Sequence, residues 1–482
     1  MKKYHGIRLA RVAVAAGVWV AITACVAVGA RCWLSRMQLL PAVMAGSALW
    51  MLVWVAATLL LGRIYCSAVC PAGSLMDAVA RLRIAVTRRR LPYHYAVPSM
   101  QGRYLAVTVT AVCIAVGFSL VPSLLDPYSA YARIVAAVRS LVAVPAGRAV
   151  GVGVLSGVVA TVSLAVIAAV AWRGGRTLCN TVCPVGGALG ILSRVALYHT
   201  EVNRPLCTGC LRCVDVCKGH CINPADMSVD ASRCVVCFDC MDACPTGAIT
   251  YRRTRHRIVD PLMQPAKTAG ATTAMDAPAA GEPVRLDRRK FLALGIVAAA
   301  AAATGRADEA EKAWAPAPMV PLNYPLPPGV HSRHSFLRRC TACGACTAAC
   351  PTGVLQPSMR QLGLQHALQP VMDYGEVACL TDCTACTRVC PSRALVPLTP
   401  PEKRRFVIGR VRIRLQNCIS YGRGRHCGRC ARVCPSRAIE MTRFSDGRVG
   451  PMAHMDACTG CGMCVKACPS QPFKALVVEG ME

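Results

Sequence analysis

The chain has 482 residues, enough for several domains, and its 32 cysteines are far above ordinary usage. Only 16% of the residues are charged and the mean hydropathy is +0.41, which predicts membrane segments. The formal net charge of +31 could indicate nucleic-acid binding. Many arginines flank apolar runs, however, and aromatic residues make up only 5% of the chain. We therefore expect a membrane partner and no nucleic acid.

Four apolar runs, at about 12–30, 39–61, 104–121 and 151–172, are near the ~20 residues that a helix needs to cross a bilayer. No clear cleavage site follows the first run, so we interpret it as a membrane helix and not as a signal peptide. Seven arginines lie between positions 63 and 103, against two after the first run. The positive-inside rule then places the N-terminus in the cytoplasm. The loop after the third run predicts an interfacial helix around 131–144.

A Cys-x3-Cys-Pro motif follows both the second and the fourth apolar run. The repetition predicts an internal duplication of the membrane domain. Thiols at positions i and i+4 share one face of a helix, so the four thiols could meet at the inner membrane edge. Binding of a metal or cluster and simple packing are equally compatible with the motif. The residues are Cys66, Cys70, Cys179 and Cys183.

Eight cysteines after the fourth run repeat the C-x2-C-x2-C-x3-C pattern twice, which is typical of a two-cluster [4Fe–4S] ferredoxin. The fourth cysteine of each group usually serves the other cluster, so we expect Cys217 and Cys244 to exchange. Lys218 stands where the pattern has proline, and Cys221 is interpreted as a spare buried thiol. The two groups are Cys207, Cys210, Cys213 and Cys217, then Cys234, Cys237, Cys240 and Cys244.

Sixteen further cysteines form four groups, each ending in Cys-Pro. The first and last have the ferredoxin spacing and the middle two have a longer first gap, so the chain should bind six [4Fe–4S] clusters in all. Zinc sites or disulfides would not demand this spacing. We expect the two standard groups to pair with each other and the two stretched groups likewise. The groups are Cys340, Cys343, Cys346 and Cys350; Cys379, Cys383, Cys386 and Cys390; Cys418, Cys427, Cys430 and Cys434; and Cys458, Cys461, Cys464 and Cys468.

The segment between the two cysteine-rich regions begins as an Ala-, Pro- and Thr-rich linker. It continues with Arg288-Arg289-Lys290-Phe291-Leu292 and an alanine-rich run, which resembles a twin-arginine export signal. Export would place the last domain outside the cytoplasm; the alternative is a peripheral helix with that domain inside. The predicted domains are a helical membrane domain (residues 1–200), a ferredoxin domain (201–255), the linker (256–286), the signal with a Pro-rich spacer (287–330), and a polyferredoxin domain (331–482).

Other catalytic signatures are missing from the sequence. There is no C-x-x-C-H motif and no histidine inside the four predicted spans, so we expect no haem. No phosphate-binding loop or dinucleotide fingerprint occurs, and no catalytic residue can be assigned. Asp126, at the end of the third span, is a candidate proton acceptor for quinol, but a capping role is the favoured interpretation.

The first 255 residues resemble the membrane-bound quinol dehydrogenase component of periplasmic nitrate reductase systems, the NapH type. The resemblance rests on the four spans, the two Cys-x3-Cys-Pro motifs and the ferredoxin that follows. Residues from about 285 onward resemble its polyferredoxin partner, the NapG type, on the paired arginines and the Cys418-x8-Cys427 spacing. The resemblance implies an oxidoreductase chain in the cytoplasmic membrane. Quinol would be oxidised there, and electrons would pass through the clusters to a partner reductase.

We therefore expect a bundle of four transmembrane helices joined to α+β ferredoxin-like domains. Two other functions are compatible with the same motifs. One is a metal-reducing maturation factor for a respiratory enzyme. The other is a cytoplasm-facing polyferredoxin that exchanges electrons with soluble ferredoxin.

Overall fold

A computed structural model describes residues 2–30, 32–87, 92–95, 100–143, 154–253 and 319–481. Met1–Thr254 and Ala317–Glu482 together form one compact unit, and Arg255–Pro316 form a second. The predicted linker and twin-arginine segment fall in the second unit and lie outside the described residues.

The region before residue 193 is helical. Two helices are long and apolar enough to cross a membrane, over His5–Val28 and Ser156–Gly174. The helices are α1 Lys2–Val28, α2 Trp33–Arg36, α3 Leu39–Met44, α4 Ala48–Leu61, α5 Ile64–Ala68, α6 Pro71–Thr87, α7 Met100–Val116, α8 Leu120–Leu125, α9 Pro127–Ala143, α10 Val154–Gly174, α11 Thr177–Thr181 and α12 Pro184–Leu192.

The other two predicted spans are shorter than the sequence suggested. The second is broken between α3 and α4, where Gly46 has a φ of 66°. The third ends before Gly117, whose φ is 85°. Left-handed glycines of this kind end helices, because residues with a Cβ rarely adopt that conformation. The remaining apolar helices are α4 with 14 residues and α7 with 17, so four transmembrane helices are not confirmed.

Helix α9 covers the region where an interfacial helix was predicted. It starts earlier, at Pro127, and packs against α1, α6 and α10. Tyr128, Tyr131 and Ala132 on its buried face are at most 3% exposed. Asp126 caps this helix, since its Oδ2 accepts hydrogen bonds from the backbone N–H of Ser129 (2.8 Å) and from its hydroxyl (2.7 Å). This arrangement agrees with the capping interpretation of Asp126.

The two Cys-x3-Cys-Pro segments have the same local structure. Each consists of a long helix, a five-residue helix that carries the first cysteine, and a new helix that begins with proline. The second cysteine of each motif lies outside the short helix, so the two thiols do not share one helix face as predicted. The reason is the proline: the residue before it is held in extended conformation, and Cys183 has a φ of −69° and ψ of 117°.

The ferredoxin domain that follows closes on a two-stranded antiparallel sheet. Strand β1 Tyr198–Val202 precedes the first cysteine group, and β2 Ile249–Arg253 follows the second, with Val202 opposite Ile249. Two short helices, α13 Arg212–Asp215 and α14 Asp239–Ala243, carry cysteines of the two groups. Ile222 and Ile249 are buried among the cysteines. The domain is docked to α4 through hydrogen bonds from Leu197 N to Leu59 O (2.7 Å) and from the Tyr251 hydroxyl to Leu61 O (2.9 Å).

The last domain has three strand pairs around one core, and one of them, β5 with β8, encloses two cysteine groups in the same way. Its antiparallel pairs are β3 Leu355–Pro357 with β4 Pro370–Met372, β5 Gly409–Ile413 with β8 Leu476–Gly480, and β6 Ile439–Arg443 with β7 Val449–Ala453. The core contains Phe336, Val354, Val411 and Val478, each 1% exposed. The helices are α15 Arg333–Arg339, α16 Ala345–Ala349, α17 Ala385–Val389, α18 Pro400–Arg405, α19 Ile419–Arg423, α20 Arg429–Arg432 and α21 Met463–Ala467.

Candidate iron–sulfur sites

The ferredoxin domain brings its cysteines together in two sets. One set lines a cavity of about 370 Å³ and comprises Cys217, Cys234, Cys237 and Cys240. In the other set, Cys213 lies within electrostatic range of Cys207 and Cys244. The fourth cysteine of each group is therefore placed with the other group. Pairing of β1 with β2 explains this, because it returns the end of the second group to the start of the first.

Cys221 lies at the first of these cavities as a fifth thiol. It is 4% exposed, and its Sγ is 3.4 Å from the Sγ of Cys217. The hydrogen bond between the two thiols lowers the pKa of Cys217 to about 6. Cys221 thus stabilises a thiolate beside the cavity, which suits a neighbour of a metal ligand.

The first and second cysteine groups of the last domain pair with each other. Cys350, Cys379, Cys383 and Cys386 line a cavity of about 310 Å³. Cys346 lies within electrostatic range of Cys340, Cys343 and Cys390. Cys350 therefore sits with the second group, and Cys390 sits with the first.

The third and fourth groups pair in the same way. Cys434, Cys458, Cys461 and Cys464 line a cavity of about 310 Å³. Cys418, Cys427, Cys430 and Cys468 line another of about 330 Å³. The expected pairing of standard with standard and stretched with stretched groups is therefore wrong. The β5–β8 ladder sets Ile413, just before the third group, opposite Leu476, just after the fourth. Strand pairing, and not the length of the first gap, decides which groups are neighbours.

Hydrogen bonds give the four sites of the last domain a linear order. Arg133 of α9 donates to Ala342 O at 3.1 Å, so the Cys340 site lies next to the helical domain. Cys379 N donates to Cys461 O at 3.0 Å and the Tyr374 hydroxyl to Gly460 O at 2.7 Å. These two bonds join the Cys379 site to the Cys461 site. The Cys418 site is last in the row.

These sites fit an iron–sulfur cluster by their donor sets and linings. Each of the four cavities is lined by at least four thiols and by aliphatic residues such as Ile222, Val354 or Val411. Burial raises the pKa of Cys213 and of Cys430 to about 11, so binding of iron there would displace protons. Within the described ranges, no three His, Cys, Asp or Glu side chains are spaced to hold a single metal ion.

The four cysteines of the Cys-x3-Cys-Pro motifs also lie together. Cys183 is within electrostatic range of Cys179, Cys70 and Cys66. Cys66 and Cys70 are each 5% exposed and Cys179 is 9% exposed. These cysteines lie beside the ferredoxin domain. Cys66 and Cys70 share a buried cluster with Val235 of that domain, and Cys183 and Cys237 pack against this cluster.

Sequence reasoning missed a set of buried arginines around these sites. Arg63 and Arg176 are 0% exposed, and Arg133 is 1% exposed. The available signal was the presence of arginine beside apolar helices, because ionisable groups at such positions are costly and usually functional. In the sequence these arginines were counted as loop charges under the positive-inside rule, so their burial was not predicted.

Four segments of the chain match families of iron–sulfur domains. Residues 339–395 and 425–471 each match a family described as "4Fe-4S dicluster domain". These matches cover successive cysteine groups, in agreement with the pairing seen in the structure. Residues 43–92 and 156–204, which contain the two Cys-x3-Cys-Pro motifs, match a family described as "4Fe-4S binding domain".

Three relatives are similar in sequence to parts of this chain. YccM of Escherichia coli, a putative electron transport protein by its name, is 25% identical over 217 residues, which is 43% of this chain and 56% of YccM. The uncharacterized protein MJ0749 of Methanocaldococcus jannaschii is 33% identical over 15% of this chain and 29% of its own length. The regulatory protein NosR of Pseudomonas aeruginosa is 28% identical over 18% of this chain and 94% of its own length. No solved structure matches.

The chain thus spans 56% of YccM and 29% of MJ0749. The domain matches and the paired cysteine groups define it as an iron–sulfur protein with several [4Fe–4S] domains. The apolar helices α1 and α10 add support for membrane association.

Proposed function

We propose that this protein carries electrons from quinol across the cytoplasmic membrane, through six [4Fe–4S] clusters, to a partner on the outer side. The observation that carries the proposal is that helix α1 contacts a different ferredoxin-like domain at each end. The twin-arginine-like segment and the resemblance to NapH- and NapG-type components support the same assignment.

The N-terminal end of α1 binds the first ferredoxin domain. Arg8 donates from Nε to Asp239 at 2.9 Å and from Nη1 to Asp242 at 2.6 Å. Ile22 and Val26, near the other end of α1, share a buried cluster with Cys343 and Ala345 of the last domain. From Arg8 to Ile22 the helix rises about 21 Å, most of a hydrocarbon core. If α1 spans the membrane, the two ferredoxin-like domains lie on opposite sides of it.

Polar contacts reinforce the docking of the last domain on the helical domain. Arg133 also donates to Ser123 O at 2.7 Å, so its guanidinium joins α8 to the Cys340 site. Gln369 Nε2 donates to the Ser119 hydroxyl at 2.9 Å and to Cys340 O at 3.2 Å. The side chains of Arg133, Gln369 and Ser119 belong to residues that are at most 5% exposed. Such buried hydrogen bonds favour a fixed position of the Cys340 site beside the helices.

The Cys418 site, the last of the four sites in the polyferredoxin domain, is suited to a protein acceptor with an acidic surface. Arg425, Arg429 and Arg432 are exposed and flank Cys427 and Cys430 of the last site. Among the described residues, none of these three arginines forms an ion pair with a carboxylate. A single-sign rim around a redox site steers oppositely charged partners. We therefore assign the Cys418 site as the point of exchange with the partner.

Protease treatment of intact spheroplasts tests the proposal. An externally added protease should cleave the polyferredoxin domain, while an epitope tag in the first ferredoxin domain should survive. In inverted membrane vesicles the pattern should reverse. Protection of residues 331–482 in spheroplasts, together with cleavage in inverted vesicles, would contradict export of this domain. Iron and labile sulfide of at least about twenty-four of each per chain would support six [4Fe–4S] clusters.

A further inference from the structure

We propose that Cys66, Cys70, Cys179 and Cys183 hold a further iron–sulfur centre, placed between the first ferredoxin domain and the polyferredoxin domain. The inference deepens the proposed function, since it supplies the link by which electrons would pass between the two domains. It rests on three observations: the grouping of the thiols, a buried cation beside them, and their position along α1.

The duplicated hairpins bring the four thiols to one place. The short helices α5 and α11 carry Cys66 and Cys179, and Cys70 and Cys183 follow them just before a proline. Cys70 is within electrostatic range of Cys179 and Cys66, and Cys183 is within range of the other three. Cys66 and Cys70 also lie in one buried cluster, and Cys183 packs against it.

Buried positive charge beside the thiols calls for negative charge at the same place. Arg63 Nη2 lies 3.8 Å from Cys66 Sγ and donates to Cys179 O at 3.2 Å. Its Nη1 donates to Asn180 Oδ1 at 2.6 Å and to Ser232 O at 3.0 Å. Within the described stretches of the chain, Arg63 has no carboxylate partner, and its Nε has no hydrogen-bond partner.

A fully buried cation without a counter-ion is costly, because charges taken out of water must be paired. Arg176, which donates to Cys66 O, is balanced by Asp77 at 2.9 Å. Four neutral thiols would leave Arg63 uncompensated. Four thiolates that ligate iron would supply the missing negative charge.

The four thiols of Cys66, Cys70, Cys179 and Cys183, here called the tetrad, adjoin a ferredoxin site on their inner side. Arg176 is within electrostatic range of Cys179 in the tetrad and of Cys237 in the ferredoxin domain. Arg63 and Asn180 reach the same domain, through Ser232 O and through Gly219 O at 3.0 Å. The tetrad and the Cys237 site are therefore separated by little more than these side chains.

On its outer side the tetrad faces the Cys343 site across a layer of buried polar residues. Tyr65 is within electrostatic range of Cys70 and of Asp126. Arg133 is within range of Asp126 and of Cys343. Arg11 of α1 donates to Ser67 O at 3.0 Å and so marks the level of the tetrad. Ile22, at the level of Cys343, is about 17 Å further along the helix.

The tetrad therefore lies between the two ferredoxin-like domains and divides the distance between them into two shorter steps. The centre would take one electron from the reduced Cys237 cluster, which returns to its oxidised state, and would then pass that electron to the Cys343 cluster. No bond is formed and no proton is required. Electron transfer through protein slows steeply with distance, so an intermediate centre makes the crossing fast.

The test compares iron and labile sulfide in the purified full-length protein and in two double variants. Cys66→Ser/Cys179→Ser removes two proposed ligands. Cys25→Ser/Cys113→Ser changes two other cysteines of the helical domain and is the matched control. The tetrad variant should lose about two or about four iron and as many sulfide per chain, one [2Fe–2S] or [4Fe–4S] cluster. The control should lose none.

Equal iron and sulfide in the tetrad variant and the wild type would overturn the proposal. If the double variant does not fold, the single variant Cys183→Ser keeps the test decisive, because it changes one proposed ligand and leaves the other three thiols in place. Electron paramagnetic resonance of the reduced protein should then show one signal changed and the ferredoxin signals kept; an unaltered spectrum would also overturn it. These readouts do not depend on the side of the membrane, so a failure here and a failure of the protease test are distinguishable.

Discussion

Lys218 Nζ lies 2.8 Å from Asp239 Oδ2, and this lysine stands where the ferredoxin pattern has proline. The same ammonium is 3.5 Å from Asp77 of α6. Asp77 also binds Arg176 at 2.9 Å, and Asp239 binds Arg8 at 2.9 Å. One departure from the pattern therefore joins the ferredoxin domain to the helical domain through a shared ionic network.

Replacing this lysine should loosen the first ferredoxin domain. Lys218→Met leaves both carboxylates with one cation fewer at a site where Lys218 is 13% exposed. We expect a loss of about 1–3 kcal/mol of stability, the cost of unsatisfied buried groups. Thermal unfolding in detergent measures it, with Arg252→Met as control. The Arg252 side chain is 65% exposed, so loss of its pair with Glu201 should have little effect; equal losses in both variants would contradict the role of Lys218.

The pairing of cysteine groups predicts how much iron each double variant loses. Cys350 and Cys379 line one cavity, so Cys350→Ser/Cys379→Ser should remove one cluster, about four iron per chain. Cys350→Ser/Cys340→Ser touches two sites and should remove about eight. The pairing expected from spacing alone predicts two clusters lost in the first variant. Iron and sulfide analysis of the two proteins therefore decides between the arrangements.

The hydrogen bonds of Arg133 should help to hold the polyferredoxin domain against the helical domain. Arg133→Met keeps the apolar stem but removes the donors to Ala342 O and Ser123 O. Both carbonyls then lack their charged donor, which costs about 1–3 kcal/mol for each buried group left unpaired. Amide hydrogen exchange should rise in residues 340–349 and remain unchanged in 439–453. Unchanged exchange at both places would show that this contact does not hold the domain.

The basic rim of the last site predicts charge-selective electron exchange. Arg429→Glu/Arg432→Glu should slow reduction of the anion ferricyanide at low salt and speed reduction of hexaammineruthenium(III), a cation. The differences should shrink at high salt because the charges are screened. Arg360→Glu is the control, as Arg360 is exposed but lies in the loop between β3 and β4. If the double variant and the control behave alike, electrons do not leave at the Cys418 site.

The sequence located the cysteine groups and predicted the exchange of Cys217 and Cys244 in the first ferredoxin domain, but it could not pair the four groups of the last domain. Spacing identifies the ligands of one cluster, as for Cys458, Cys461 and Cys464, because those residues are close along the chain. The fourth ligand, Cys434 at this site, arrives through strand pairing, which depends on contacts between distant residues. The break at Gly46 was missed for a similar reason. Hydropathy sums apolar residues over a window and is insensitive to a single left-handed glycine.

The buried arginines show a further limit. Arg63 and Arg133 occur in the sequence beside apolar runs, where loop charges also occur. Their role follows only from what the fold places around them: the thiols near Arg63 and the Ala342 carbonyl near Arg133. The Cys-x3-Cys-Pro motifs were correctly recognised as a pair, but the sequence does not show the buried charge beside them on which the proposal of a further centre depends.

Transfer of electrons by one chain from one side of a membrane to the other can be measured directly in sealed proteoliposomes. Ferricyanide is trapped inside and dithionite, which crosses lipid poorly, is added outside. We predict that vesicles containing the full-length protein bleach the trapped ferricyanide, whereas protein-free vesicles and those with Cys66→Ser/Cys179→Ser do not. If intact protein leaves the trapped ferricyanide oxidised while its externally accessible clusters are reduced, the chain does not connect the two sides and the proposed function is wrong.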